Sequence, residues 1–256
     1  MKAEEKEQLY QVLKQSSAAI LGYTAKEFEG SPQFSDDVDA PLPQSPAPIE
    51  QSPAPLEPSV SQVQESGATI DSVNQKIFSC ARCPLSKTRK NVVPGEGVAN
   101  PLVLVVGEGP GADEDEQGRP FVGKAGQLLD KMLAAINLSR DKNCYIANIV
   151  KCRPPMNRDP APEESQACRS FLDAQIHVLK PKMILAMGRV ALQNLLDTSI
   201  GINKMRGQFV DFKGIPFMAT YHPSALLREE SLKRFAWEDL KAFKQKLLEI
   251  CPDYDK

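Results

Sequence analysis

Four short apolar runs punctuate the chain after its first hundred residues: "LVLVVG" at 102–107, "NCYIANIV" at 143–150, "MILAMG" at 183–188 and "PFMATY" at 216–221. Each is four to eight residues long and bounded by turn signals, which predicts buried strands. Between them the apolar positions change to helical spacing. Residues 126–138 bring Leu129, Met132, Leu133 and Ile136 to one face, and 162–179 do the same with Ala167, Phe171, Ala174 and Val178. Further helices are predicted at 189–196 and 226–250. Strand and helix alternate, so the pattern predicts an α/β fold with a mostly parallel central sheet. In such folds ligands gather at the carboxyl ends of the strands.

The first third of the chain reads differently. Residues 1–22 have one weak amphipathic period (Leu9, Val12, Leu13, Ala18, Ile20, Leu21) and predict a short helix. Residues 31–60 hold eight prolines and an imperfect duplication, "QSPAPIE" and "QSPAPLE". This composition does not bury a core, so 23–72 is expected to be a disordered linker, with one folded domain at 73–256. The repeat is expected to act as a spacer, or as a docking motif for a replication or repair partner. Charge divides along the same line. Residues 1–75 carry 4 basic and 12 acidic side chains, and the remainder carries 27 basic and 21 acidic. A basic folded part suits a polyanionic partner. No apolar run is long enough to span a bilayer, and "MKAEEKEQLY" has no signal-peptide core, so a cytoplasmic, non-membrane protein is expected.

The six cysteines read as metal ligands or core thiols rather than as disulfides. "CARC" places Cys80 and Cys83 where one metal or one cluster face can take both. Cys144 and Cys152 bracket a predicted strand and would lie roughly 25 Å apart along extended chain. Cys152 lies just past that strand, and Cys168 sits early on the next helix, where a loop can return it. The expected set is Cys80, Cys83, Cys152 and Cys168, with Cys144 in the core. Four thiolates suit zinc or an iron–sulfur cluster, and the split second pair favours the cluster.

The turns that follow the strands carry the remaining chemistry. "GEGPG" at 107–111 lacks the spacing of a dinucleotide loop, Pro110 has no N–H, and carboxylates follow where phosphate would sit. The turn suits a flat neutral ligand with Glu108 and Glu114 at its edge. Asn148 is an amide in an apolar run, either a satisfied core group or a reader of a base edge. Lys151, Arg153 and Arg158, interleaved with prolines, predict an exposed loop for phosphates. His222 ends the last strand, where a catalytic donor would be placed. In "SALLR", Leu226 and Leu227 beside Arg228 fit either a wedge into a base stack or the start of a core-facing helix.

Together, "CARCPL", "VPGEG", "GEGPGADEDEQGRPFVGKAGQLLDKML", "YIANIVKCRPPMNRDPAPEE", Cys168, "LAMG" and "HPSALLR" resemble the family 4 uracil-DNA glycosylases, the iron–sulfur-containing class. The resemblance covers roughly 78–228. It implies a three-layer α/β/α sandwich with a [4Fe–4S] cluster on Cys80, Cys83, Cys152 and Cys168. It also implies a monomer that acts on uracil-containing DNA at the nucleoid, hydrolysing the N-glycosidic bond and leaving an abasic site for base excision repair. By the same resemblance Phe121 stacks on the extruded base, Asn148 bonds N3–H and O4, His222 donates to O2, and Glu114 crowds C5. Gly109 falls where better-known uracil glycosylases carry an aspartate that positions water, which leaves the backbone or the side chain of Glu108 as the candidate for that task. The alternative function is a non-catalytic iron–sulfur or zinc DNA-binding module.

Overall fold

The computed structural model describes residues 69–254. The expected helix at 1–22 lies outside the described residues, as does all but the last few residues of the expected 23–72 linker. Its end needs correction. Thr69 caps a helix, α1 (Ile70–Phe78), by accepting from the Ser72 N–H, so residues 69–72 belong to the folded part.

Six strands form one mixed sheet: β1 (Glu96–Gly97), β2 (Val103–Gly107), β3 (Cys144–Asn148), β4 (Met183–Met187), β5 (Phe209–Phe212) and β6 (Ile215–Thr220), in the order β1-β3-β2-β4-β6-β5. The four central strands run parallel, and the edge strands β1 and β5 are antiparallel to their neighbours. β2 to β4 are buried along their whole length because side chains alternate between two cores. Leu104, Val106, Tyr145 and Ala147 face one core, beneath α1, α4 (Pro162–Leu179) and α5 (Arg189–Leu196). Val103, Val105, Cys144 and Ile146 face the other, beneath α3 (Lys124–Ala134), α7 (Pro223–Arg228) and α8 (Leu232–Ile250). This is a three-layer α/β/α sandwich. Two short α-helices, α2 (Ala112–Gln117) and α6 (Ile202–Met205), and two 3-10 turns at Pro84–Lys87 and Pro155–Asn157 complete the described elements.

The helix expected at 226–250 is two helices. α7 starts at the His222–Pro223 step, where proline suits a first turn, and a break at 229–231 separates it from α8. β3 lies on one side of β2, and β4 lies on the other. The strand order reverses there, and the reversal opens a crevice at the carboxyl ends of the parallel strands.

Candidate active site

That crevice is a cleft of about 610 Å³. Its walls come from the turn after β2 (Glu108 to Asp113), the end of β3 (Asn148), the turn after β4 (Gly188, Arg189) and the end of β6 (Tyr221, His222). Phe121, Lys124, Asn157, Arg158 and Arg228 complete it.

Asn148 and Phe121 meet on the floor. A Cβ at Gly107 would lie 2.5 Å from both Asn148 Oδ1 and Phe121 Cζ, so only glycine leaves both side chains in place. Phe121 holds a left-handed φ of 53°, which is strained for a bulky residue. Arg140 stabilises that turn. Its guanidinium donates to the carbonyls of Pro120 and Phe121, each at 2.9 Å, and pairs with Asp130 and Glu96. The amino-acid pattern offered no signal for Arg140, because its task depends on a contact 20 residues away. Asn148 is only 2% exposed, and its Oδ1 has no hydrogen-bond partner among the described residues. A buried acceptor left open in this way is costly unless a ligand fills it.

His222 packs against Phe121, with ring centroids 5.5 Å apart. Its Nδ1 accepts the Ser224 N–H at 3.2 Å at the start of α7. A neutral ring that accepts at Nδ1 carries its proton on Nε2. Burial, followed by the Arg228 charge, pushes its pKa down to about 4, so the ring is neutral at pH 7. Glu108 moves the other way. Burial and the Asp159 charge push it up to about 7, opposed by Arg189. The adjacent Gly109 is confined, since a Cβ there would sit 2.8 Å from Val150 Cγ2.

Glu114 lines the cleft, with its carboxylate tied to backbone. It accepts from the N–H groups of Gly111, Val122 and Gly123 at 3.1, 2.8 and 2.9 Å, stapling the glycine turn to the Phe121 segment.

Two expected DNA contacts are corrected. Lys151 is 1% exposed and not on a surface loop; its ammonium donates inward to the Asn148 carbonyl and Gln175 Oε1. Burial pushes it down to about 8, and the Cys168 side chain opposes that shift. Leu226 is 2% exposed in the core, whereas Leu227 is 47% exposed beside it. Helical spacing decides this: α7 turns one leucine inward, so its neighbour faces out. Arg228 is exposed at the cleft. Arg158 forms a bidentate pair with Glu164, and Arg153 donates to Asn157 at 2.8 Å.

Away from the cleft, Cys80, Cys83, Cys152 and Cys168 line one small cavity with Arg89 and Lys151. All four are free thiols. Arg89 donates to the Cys152 sulfur at 2.9 Å, and burial pushes the Cys152 and Cys168 thiols up against the pull of nearby cations. Among the described residues no three such ligands come together as a single-ion site. Cys144 sits apart in the opposite core, where burial pushes it up to about 12.

A sequence model of the Uracil DNA glycosylase superfamily matches residues 94–241. The chain belongs to that superfamily. Within it, the chain belongs with the type-4 group. It is 45% identical over 179 residues to a type-4 uracil-DNA glycosylase of Thermotoga maritima, covering 68% of this chain and 93% of that relative. Identity is 41% over 191 residues to one from Archaeoglobus fulgidus, covering 72% and 94%. A type-5 uracil-DNA glycosylase of Pyrobaculum aerophilum is 33% identical over 189 residues, covering 61% and 82%. The superfamily match spans the whole cleft together with Cys152 and Cys168, while Cys80 and Cys83 lie ahead of it.

Proposed function

We propose that this chain, a uracil-DNA glycosylase acting in DNA repair, performs its hydrolysis in the β2–β4 cleft, with Asn148 and Phe121 recognising the base and His222 and Glu108 acting on the bond. The open Oδ1 of Asn148, buried beside Phe121, carries this reading. Uracil flipped out of the stack lays its ring on Phe121. Its N3–H donates to Oδ1, and the amide Nδ2 donates to O4. Cytosine presents the reverse pattern and would leave Oδ1 facing a lone pair, a loss of about 1–3 kcal/mol. Glu114, stapled to backbone, sets the position of the wall that faces C5.

The glycosidic bond breaks with its electron pair leaving on uracil. The neutral Nε2–H of His222 donates to the charge that develops on O2, which is worth about 100-fold or more for a preorganised donor. Water attacks the sugar C1′, and Glu108 takes the water's proton. Gly109, lacking a side chain, leaves that task to its neighbour. Arg228 on one lip and Arg153 and Arg158 on the other reach phosphates, and the exposed Leu227 takes the wedge role that Leu226 does not fill.

The four cysteines that line one cavity would hold a [4Fe–4S] cluster, one thiolate to each iron. The cations Arg89 and Lys151 suit the negative charge of a thiolate-bound cluster. When bound, the cluster ties the 80–83 segment to the loop after β3 and to α4 and takes no part in bond cleavage. In this reading, residues 69–256 are the catalytic domain of a cytoplasmic monomer, and the proline-rich segment is a spacer or a partner-docking motif. The test is uracil release from single- and double-stranded oligonucleotides by cluster-loaded protein. Substrate left intact after prolonged incubation would overturn the reading.

A further inference from the structure

Lys151 is among the largest side chains that the fold buries completely. Its ammonium donates to two neutral oxygens, the Asn148 carbonyl at 2.9 Å and Gln175 Oε1 at 2.7 Å. Gln175 is fixed in turn, donating to the Pro94 carbonyl at 2.8 Å. Among the described residues no carboxylate pairs with this ammonium. The anion-forming group nearest in effect is the Cys168 side chain. Lys151 also lines the four-cysteine cavity, and thiolates holding a cluster there would supply the counter-charge that a buried ammonium otherwise lacks.

The same contact reaches the base-reading residue. The peptide joining Asn148 to Ile149 is held at both ends, its carbonyl by Lys151 and its N–H by the Gly107 carbonyl at 2.9 Å. That clamp fixes the direction in which the Asn148 side chain leaves β3. We propose that Lys151 is a positioning residue that couples the four-cysteine cavity to uracil recognition by clamping the Asn148–Ile149 peptide. The inference rests on the role given to Asn148 above.

The test compares cluster-loaded wild type with Lys151→Met, which fills the same space without charge or donor. Three quantities are read: kcat and KM for uracil release, inhibition by free uracil, and visible circular dichroism of the bound cluster. The expected result is a kcat lower by about 10- to 100-fold, as for a small misplacement of a reacting group. Free uracil should inhibit correspondingly less, KM for DNA should hold, and the cluster spectrum should shift. Should the Met variant not fold, Lys151→Gln retains a donor without the charge, and the same split is expected with a smaller loss. Wild-type kcat and uracil inhibition in the folded variant would overturn the proposal. So would a raised KM at unchanged kcat, which would mark a DNA contact instead. Wild type that releases no uracil would sink the glycosylase reading, while free-uracil binding and the cluster spectrum would still test the clamp.

Discussion

Replacing Glu108 by Gln removes the carboxyl assigned to the attacking water, and its effect should be read across pH. Burial is the first cause of the raised pKa, and the Asp159 charge adds to it against Arg189, giving a value of about 7. A general base works only when ionised. The ionised fraction is then about 9% at pH 6, half at pH 7 and about 91% at pH 8, so kcat/KM should rise about tenfold from pH 6 to pH 8 and level off above. An ordinary carboxylate would be flat over that range. His222, at about 4, stays neutral throughout and adds no second limb there. Asp159→Asn should move the midpoint down, and Arg189→Gln should move it up. The assay is uracil release at constant ionic strength with substrate well below KM. Glu108→Gln should lose about 10²–10⁴-fold and become pH-independent from 6 to 8. A flat wild-type profile, or a Gln variant that keeps the rising limb, would refute the assignment. Stability has the opposite sign. A carboxyl whose folded pKa is raised contributes fully below its unfolded value of 4.5, and that contribution is lost as pH rises through 7, which urea denaturation would show.

Three further outcomes are expected. Asn148→Ala and His222→Ala should each cut uracil release by about 100-fold or more; Asn148→Ala should leave the melting temperature near wild type, and His222→Ala, which also removes the cap of α7, should cost about 0.5–2 kcal/mol of stability. Leu226→Ala should cost about 2–5 kcal/mol of stability by denaturant melt; Leu227→Ala should leave stability unchanged and impair release from duplex more than from single strands. Cys168→Ser should lower bound iron and visible absorbance on purification, whereas Cys144→Ser, in the other core, should keep both.

Much of this fold was legible because a buried parallel strand must be apolar on both faces. Its runs stand out without knowledge of partners, and all four predicted strands lie within a residue or two of the observed ones. The helix at Pro162–Leu179 was equally plain, with proline at its start. β1 and β5 were missed. Two residues carry no period, and β5 is half exposed at a sheet edge. The split of the last helix was missed because the leucines of α7 continue the apolar period into α8.

The amino-acid order alone determined the alternation of elements, and with it the sheet type and the strand ends where function gathers. It also singled out Asn148, His222, Glu108 and the four cysteines as candidates by residue type and position, while Phe121 entered through the family resemblance alone. What it could not decide was direction. Lys151 was read as a surface residue and Leu226 as either a wedge or a core residue, and only the packing of α4 against the loop after β3, and of α7 on the second core, turned both inward. Direction is set by contacts between segments far apart in the chain, as with Lys151 and Gln175 or Arg140 and Phe121. The same holds for the pKa values of Glu108 and His222, which depend on burial and on charges brought near only by the fold.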